Sequence, residues 1–110
     1  MEEREASRRD WSVYVLRCDG RCLYTGVALD VARRLAEHAA GRSRAARFTR
    51  RFSRFELVYK ARVGSRGQAQ RVEAGIKALS RSRKEALVKS APSGEELVEL
   101  LGIPSEGVPG

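Results

Sequence analysis

The stretch that decides the fold is Trp11-Ser12-Val13-Tyr14-Val15-Leu16-Arg17-Cys18-Asp19-Gly20-Arg21-Cys22-Leu23-Tyr24-Thr25-Gly26. Val13-Tyr14-Val15-Leu16 is a short apolar run rich in strand formers. Asp19-Gly20 is a strong tight-hairpin signal, because both residue types tolerate positive φ better than most. Cys22-Leu23-Tyr24-Thr25 then predicts a returning strand that stops at Gly26. Cys18 and Cys22 read as small side chains on the neighbouring strands of this hairpin. One such pair is too few for a disulfide framework. It also lacks the second pair of ligands that a structural zinc needs. Reduced thiols are expected, and with them a cytoplasmic location.

Downstream, Asp30 is a good N-cap for a helix over Val31 to Ala40, with Ala32, Leu35, Ala36 and Ala39 as its apolar stripe and Gly41 as its end. Phe55 to Val63 has apolar odd positions and mostly polar even ones, the pattern of a half-buried strand, with Val58 the exception. Gly64 breaks it. Ser65-Arg66-Gly67-Gln68 reads as a capping box, and Ala69, Val72, Ile76 and Leu79 fall on one face of the helix that follows. Ser82 is expected to cap a short helix through Lys89. Ser93-Gly94-Glu95-Glu96 is a second capping box, before a helix that Gly102 stops. The order β-β-α-β-α-α, plus a C-terminal helix, predicts a small α+β domain with helices laid over a three-stranded sheet. The expected organisation is a polar N-terminal extension over 1–10, the domain over 11–90, and an acidic C-terminal helix and tail over 91–110.

The 110 residues fit one domain and one core. They carry 22 Lys+Arg against 14 Asp+Glu, a formal net charge of +8. All 22 basic residues and 10 of the 14 acids lie in positions 1–90, a local net of +12. Such charge implies a polyanionic partner. No apolar run approaches the roughly 18 residues of a membrane span, and there is no basic amphipathic helix to lie on a membrane surface. Nucleic acid is therefore the expected partner. The densest stretch holds Arg42, Arg44, Arg47, Arg50, Arg51 and Arg54, with Thr49 among them and no acid. A G+C-rich genome also yields arginine, but composition alone explains the local absence of acids poorly. The stretch is read as a phosphate-contacting surface, with Phe48, Phe52 and Phe55 as its core anchors.

Phosphodiester hydrolysis needs a metal held by a carboxylate, a cation on the phosphate and a group that activates water. Arg34 and His38 are four residues apart and share a helix face. Glu73 is a carboxylate at the margin of an apolar helix stripe. Tyr14 and Tyr24 lie one on each strand of the hairpin. Taken singly, each has an ordinary structural reading as a solvated or amphipathic residue.

Together these residues resemble the opening half of a GIY-YIG nuclease domain: Ser12-Val13-Tyr14, then Tyr24-Thr25-Gly26, then Asp30, Arg34 and His38. The resemblance spans about Trp11 to Val88. It is nearest to the small stand-alone bacterial members and to the catalytic domain of the eukaryotic structure-specific flap and junction nuclease. Ala46-Arg47-Phe48-Thr49-Arg50 is similar to a basic, threonine-containing loop of that subgroup, and Arg83 to Val88 to the helix that closes the domain. The sequence departs from the pattern at Ser12 and Val13 in the first motif and at Thr25 in the second. The resemblance implies a three-stranded antiparallel sheet and an endonuclease acting on DNA, with RNA as the alternative, on branched or distorted structures. It implies that Glu73 holds one Mg²⁺ or Mn²⁺ and that Arg34 stabilises charge on the phosphate. Tyr14, Tyr24 and His38 would position and deprotonate water, with the choice of base open. Gly26 would permit a close backbone approach. Arg34 and the metal would have to lower a tyrosine pKa from near 10. A non-catalytic nucleic-acid-binding module of the same fold is the competing expectation. Because the chain has no room for a second domain, tight substrate selection is expected either to be missing or to be supplied by a protein partner.

Overall fold

The computed structural model describes residues 10–40 and 54–104. The elements are β1 (Trp11–Cys18), β2 (Cys22–Ala28), α1 (Val31–Ala40), β3 (Phe55–Gly64), α2 (Arg66–Lys77), α3 (Arg81–Ser90) and α4 (Gly94–Leu100). The strands form one antiparallel sheet in the order β2-β1-β3. The α+β architecture is the one the sequence predicts. Because β1 is central and covered on both faces, Ser12 to Leu16 are all buried, and its apolar run need not alternate. Asp19 (φ 51°) and Gly20 (φ 72°) make the hairpin turn. Asp19 also holds the start of β3: its N–H donates to the Arg54 carbonyl and its carboxylate accepts from the Arg54 N–H, both at 2.9 Å.

Strand β2 does not stop at Gly26. Val27 and Ala28 continue the pairing opposite Val13 and Ser12. Gly26 serves as space, because it lies opposite Tyr14 and a Cβ there would sit 2.5 Å from the Tyr14 hydroxyl oxygen. In α1, Asp30 accepts from the Arg33 N–H at 3.1 Å, as a capping residue should. The face that α1 buries is not the alanine stripe. Ala32, Ala36 and Ala39 are exposed, whereas Val31 and His38 are buried and Leu35 is half-buried. Positions 31, 35 and 38 are also neighbours on a helix, and their side chains offer more area to a sheet than three alanines do.

Strand β3 carries a second departure. Tyr59 pairs with Val15 and Leu57 with Leu16, which leaves Val58 as a bulge. One extra residue reverses the facing of everything beyond it. Phe55 and Leu57 therefore pack with Tyr14 and Leu16, while Tyr59, Ala61 and Val63 pack with Val13 and Val15 on the opposite face.

The sheet thus separates two apolar clusters. One holds Tyr14, Leu16, Cys18, Ala28 and Val31 against α1. The larger joins Val13, Val15 and Tyr59 to Val72 and Ile76 of α2, Leu87 of α3, and Leu97 and Val98 of α4. Arg17 clamps α3 to this face through paired hydrogen bonds of 2.7 and 2.9 Å to Glu85. With Arg81 also donating to it, the Glu85 carboxyl is held at about 2. Tyr59 donates to the Pro92 carbonyl at 2.6 Å, and burial pushes its hydroxyl up to about 12. Cys18 and Cys22 are free thiols in register across the hairpin.

The caps differ in detail from expectation. Ser65 caps α2 by accepting from the Gln68 N–H, but Gln68 is buried and its Oε1 finds no partner among the described residues, so the reciprocal half of a capping box is not made. Helix α3 starts two residues earlier than predicted, with Ser80 accepting from the Arg83 N–H. Ser93 and Glu96 close a full capping box on α4. Gly102 (φ 70°) ends α4, with its N–H on the Glu99 carbonyl and the Ile103 N–H on the Val98 carbonyl.

Candidate active site

The sheet face under α1 gathers the polar residues that the sequence singled out. β1 supplies Tyr14, β2 supplies Tyr24, and α1 supplies Arg34 and His38. Tyr14 is fully buried, and its hydroxyl lies 3.0 Å from Nε2 of His38. The Tyr24 ring meets the His38 ring edge-on, with centroids 5.5 Å apart, and lies 6.4 Å from the Tyr14 ring. The Phe55 ring also packs on the imidazole, with centroids 5.8 Å apart. Tyr24, Arg34 and Glu73 are half-buried and form the part of the group that meets solvent.

Electrostatics tie the remaining two residues to this group. The Arg34 guanidinium acts on both tyrosine hydroxyls, favouring their ionised forms, and the Glu73 charge opposes ionisation of both. Glu73 therefore lies near enough to act electrostatically on both tyrosines, although α2 packs mainly on the other side of the sheet. Burial is nonetheless the largest influence on all three ring groups. It raises Tyr14, aided by the nearby Tyr24, and it raises Tyr24, aided by Glu73. It lowers His38, aided by Arg34 and opposed by Glu37. The expected lowering of a tyrosine by Arg34 is thus reversed in sign: the arginine pulls the right way, but desolvation wins. At neutral pH both hydroxyls are protonated and the imidazole is neutral.

Two partners escaped the sequence reading. Glu37 binds Arg34 at 3.1 Å, and Lys77 binds Glu73 at 3.2 Å. Their spacings of three and four residues along a helix were the available signal. Ser12 pairs with Ala28 of β2 and Arg62 of β3, and no positive φ occurs there, so the departure from glycine puts no strain on the backbone. Arg42, Arg44, Arg47, Thr49, Arg50 and Arg51 lie outside the described residues.

A family model for the GIY-YIG catalytic domain matches residues 10–86. The chain belongs to the GIY-YIG family. Among its relatives, a UPF0213 protein of Desulfotalea psychrophila is 39% identical over 90 residues, covering 82% of this chain and 81% of the relative. Another, from Yersinia enterocolitica, is 41% identical over 93 residues, covering 84% and 92%. The solution NMR structure of a UPF0213 protein from Bacillus halodurans is 36% identical and covers 86% of this chain and 99% of its own, with a TM-score of 0.49. GIY-YIG domains define a nuclease family that acts on DNA, and the UPF0213 names state no reaction. No described helix is long and apolar enough to cross a membrane.

The GIY-YIG setting implies a divalent metal, and the donor set can be tested for fit. Among the described residues, no three His, Cys, Asp or Glu side chains cluster to hold an ion. Glu73 is a single half-buried carboxylate that already attracts one cation, the Lys77 ammonium. One hard oxygen donor suits Mg²⁺ or Mn²⁺, which commonly complete their shells with water and phosphate, and would not hold zinc or copper. The residues fit the ion.

Proposed function

We propose that this chain is a divalent-metal-dependent endonuclease that hydrolyses phosphodiester bonds in DNA, with branched or distorted duplexes as substrates. The observation that carries the reading is the convergence of Tyr14, Tyr24, Arg34, His38 and Glu73 on one group, with the 3.0 Å Tyr14–His38 contact at its base. Glu73 would hold the Mg²⁺ or Mn²⁺, which supplies Lewis-acid polarisation of the phosphate when bound. Arg34, half-exposed and held by Glu37, supplies positive charge for the non-bridging oxygens as negative charge develops on them. The proton lost by the attacking water ends on the Tyr14–His38 pair. Of the three ring groups, His38 is the one whose unprotonated form dominates at neutral pH. Tyr14, behind it, fixes the ring. Tyr24, half-buried, stands on the solvent side of the group. A protein partner that selects substrates is part of the same proposal.

The test is cleavage of a panel of linear, nicked, flapped and four-way-junction DNA, with an RNA arm, in Mg²⁺ or Mn²⁺ and again in EDTA. Metal-dependent nicking that Arg34→Ala reduces by about 10²–10³-fold supports the proposal. A folded protein that cleaves nothing overturns it. Retained DNA binding in that case would identify the non-catalytic module.

A further inference from the structure

The bulge at Val58 does more than divide the core. Without it, Lys60 and Arg62 would face the α2–α4 side, opposite to Phe55 and Leu57. With it, Lys60 stands directly across β1 from Tyr14, and Arg62 directly across from Ser12. Directly paired residues of an antiparallel sheet project to the same face. Both cations are therefore brought to the face that carries Tyr14, one strand spacing away (about 4.8 Å). Both are exposed, and the Arg62 side chain is 74% exposed. Tyr14 leans over Gly26, toward β2 and away from β3. Arg62 lines an open pocket with Ser12, Leu29 and Asp10, and pairs with the Asp10 carboxylate at 3.1 Å. A bulge beside a functional site commonly re-aims side chains. Here it aims two positive charges, about 7 Å apart along the strand, a spacing comparable to that of successive phosphates.

We infer that Lys60 and Arg62 form a phosphate-binding row on β3, which grips the DNA backbone beside the cleavage site, with a phosphate displacing Asp10 from Arg62. This rests on the nuclease reading and adds to it a binding surface separate from the arginine stretch at 42–54. The same residues sit on an edge strand, where lysine also discourages edge-to-edge pairing. The experiment separates these roles. Binding of labelled duplex and junction DNA is measured by anisotropy, in EDTA, across a salt series. For the Lys60→Gln/Arg62→Gln double variant, the slope of log K against log salt should become shallower by about 2, near one for each phosphate no longer neutralised. Arg83→Gln/Lys89→Gln removes the same charge from α3, on the far side of the sheet, and should leave the slope unchanged. Lys60→Gln alone should give half the effect if the double variant melts early. An unchanged slope, equal slopes for the two doubles, or no DNA binding by the wild type would overturn the inference. Wild-type cleavage with an unaltered slope in the β3 variant sinks this inference alone. The predicted slope change with no cleavage sinks the nuclease reading alone.

Discussion

The two faces of the sheet are built from the same strands and do different work. Toward α2–α4, β1 presents Val13 and Val15, and the neighbours are aliphatic side chains from three helices. Toward α1, the same strand presents Tyr14 and Leu16, and the neighbours are a histidine, a second tyrosine and a glycine. The first face gains its stability from non-directional apolar burial. The second gives up much of that burial to hold polar rings in fixed positions. Alternation along a central strand lets one chain of 110 residues keep a core and a polar site within one domain.

Substitutions on the two faces should therefore separate stability from activity. The largest stability effect is expected from Ile76→Ala or Leu97→Ala, both essentially unexposed on the aliphatic face. Each should cost ~2–5 kcal/mol in chemical denaturation, with DNA cleavage retained at temperatures where the variant stays folded. On the opposite face, Gly26→Ala would drive a methyl into the Tyr14 ring. It should cost ~1–3 kcal/mol and also lower the cleavage rate, because the ring must move. Tyr14→Phe removes only the hydroxyl that meets His38 and should cost ~1–3 kcal/mol. The smallest effect is a pH dependence. His38 has a folded pKa below its unfolded value near 6.5, so the unfolded chain binds the proton more readily. Its contribution to stability is complete above that unfolded value and is lost as pH falls through the lowered folded value. His38→Gln should remove this acid limb from a plot of stability against pH. An unchanged limb would contradict the assignment.

The two faces were not equally legible in the sequence. The aliphatic face was written in spacing: Ala69, Val72 and Ile76 repeat at helical intervals, and all are buried. Asp19-Gly20, Asp30 and Ser93-Glu96 announced their turn and caps because their signals are local. Tyr14, Tyr24, Arg34, His38 and Glu73 were joined into one site only through resemblance, since no period links residues on four separate elements. The bulge was visible only as Val58 breaking the alternation, and its meaning depends on pairing with β1, a long-range fact. The buried stripe of α1 was misplaced because alanines satisfy an apolar period while contributing little area. The rise in both tyrosine pKa values was illegible because burial, not the neighbouring charge, sets its sign.

The most direct test of the account is Glu73→Gln, read by thermal melting and by nicking of junction DNA in Mg²⁺ or Mn²⁺ on the same sample. Glu73 is half-buried and its ion pair is with Lys77 on its own helix, so the melting temperature should stay close to that of the wild type. Nicking should fall by about 10²–10³-fold or more. A folded Glu73→Gln protein that cleaves at the wild-type rate would contradict the account.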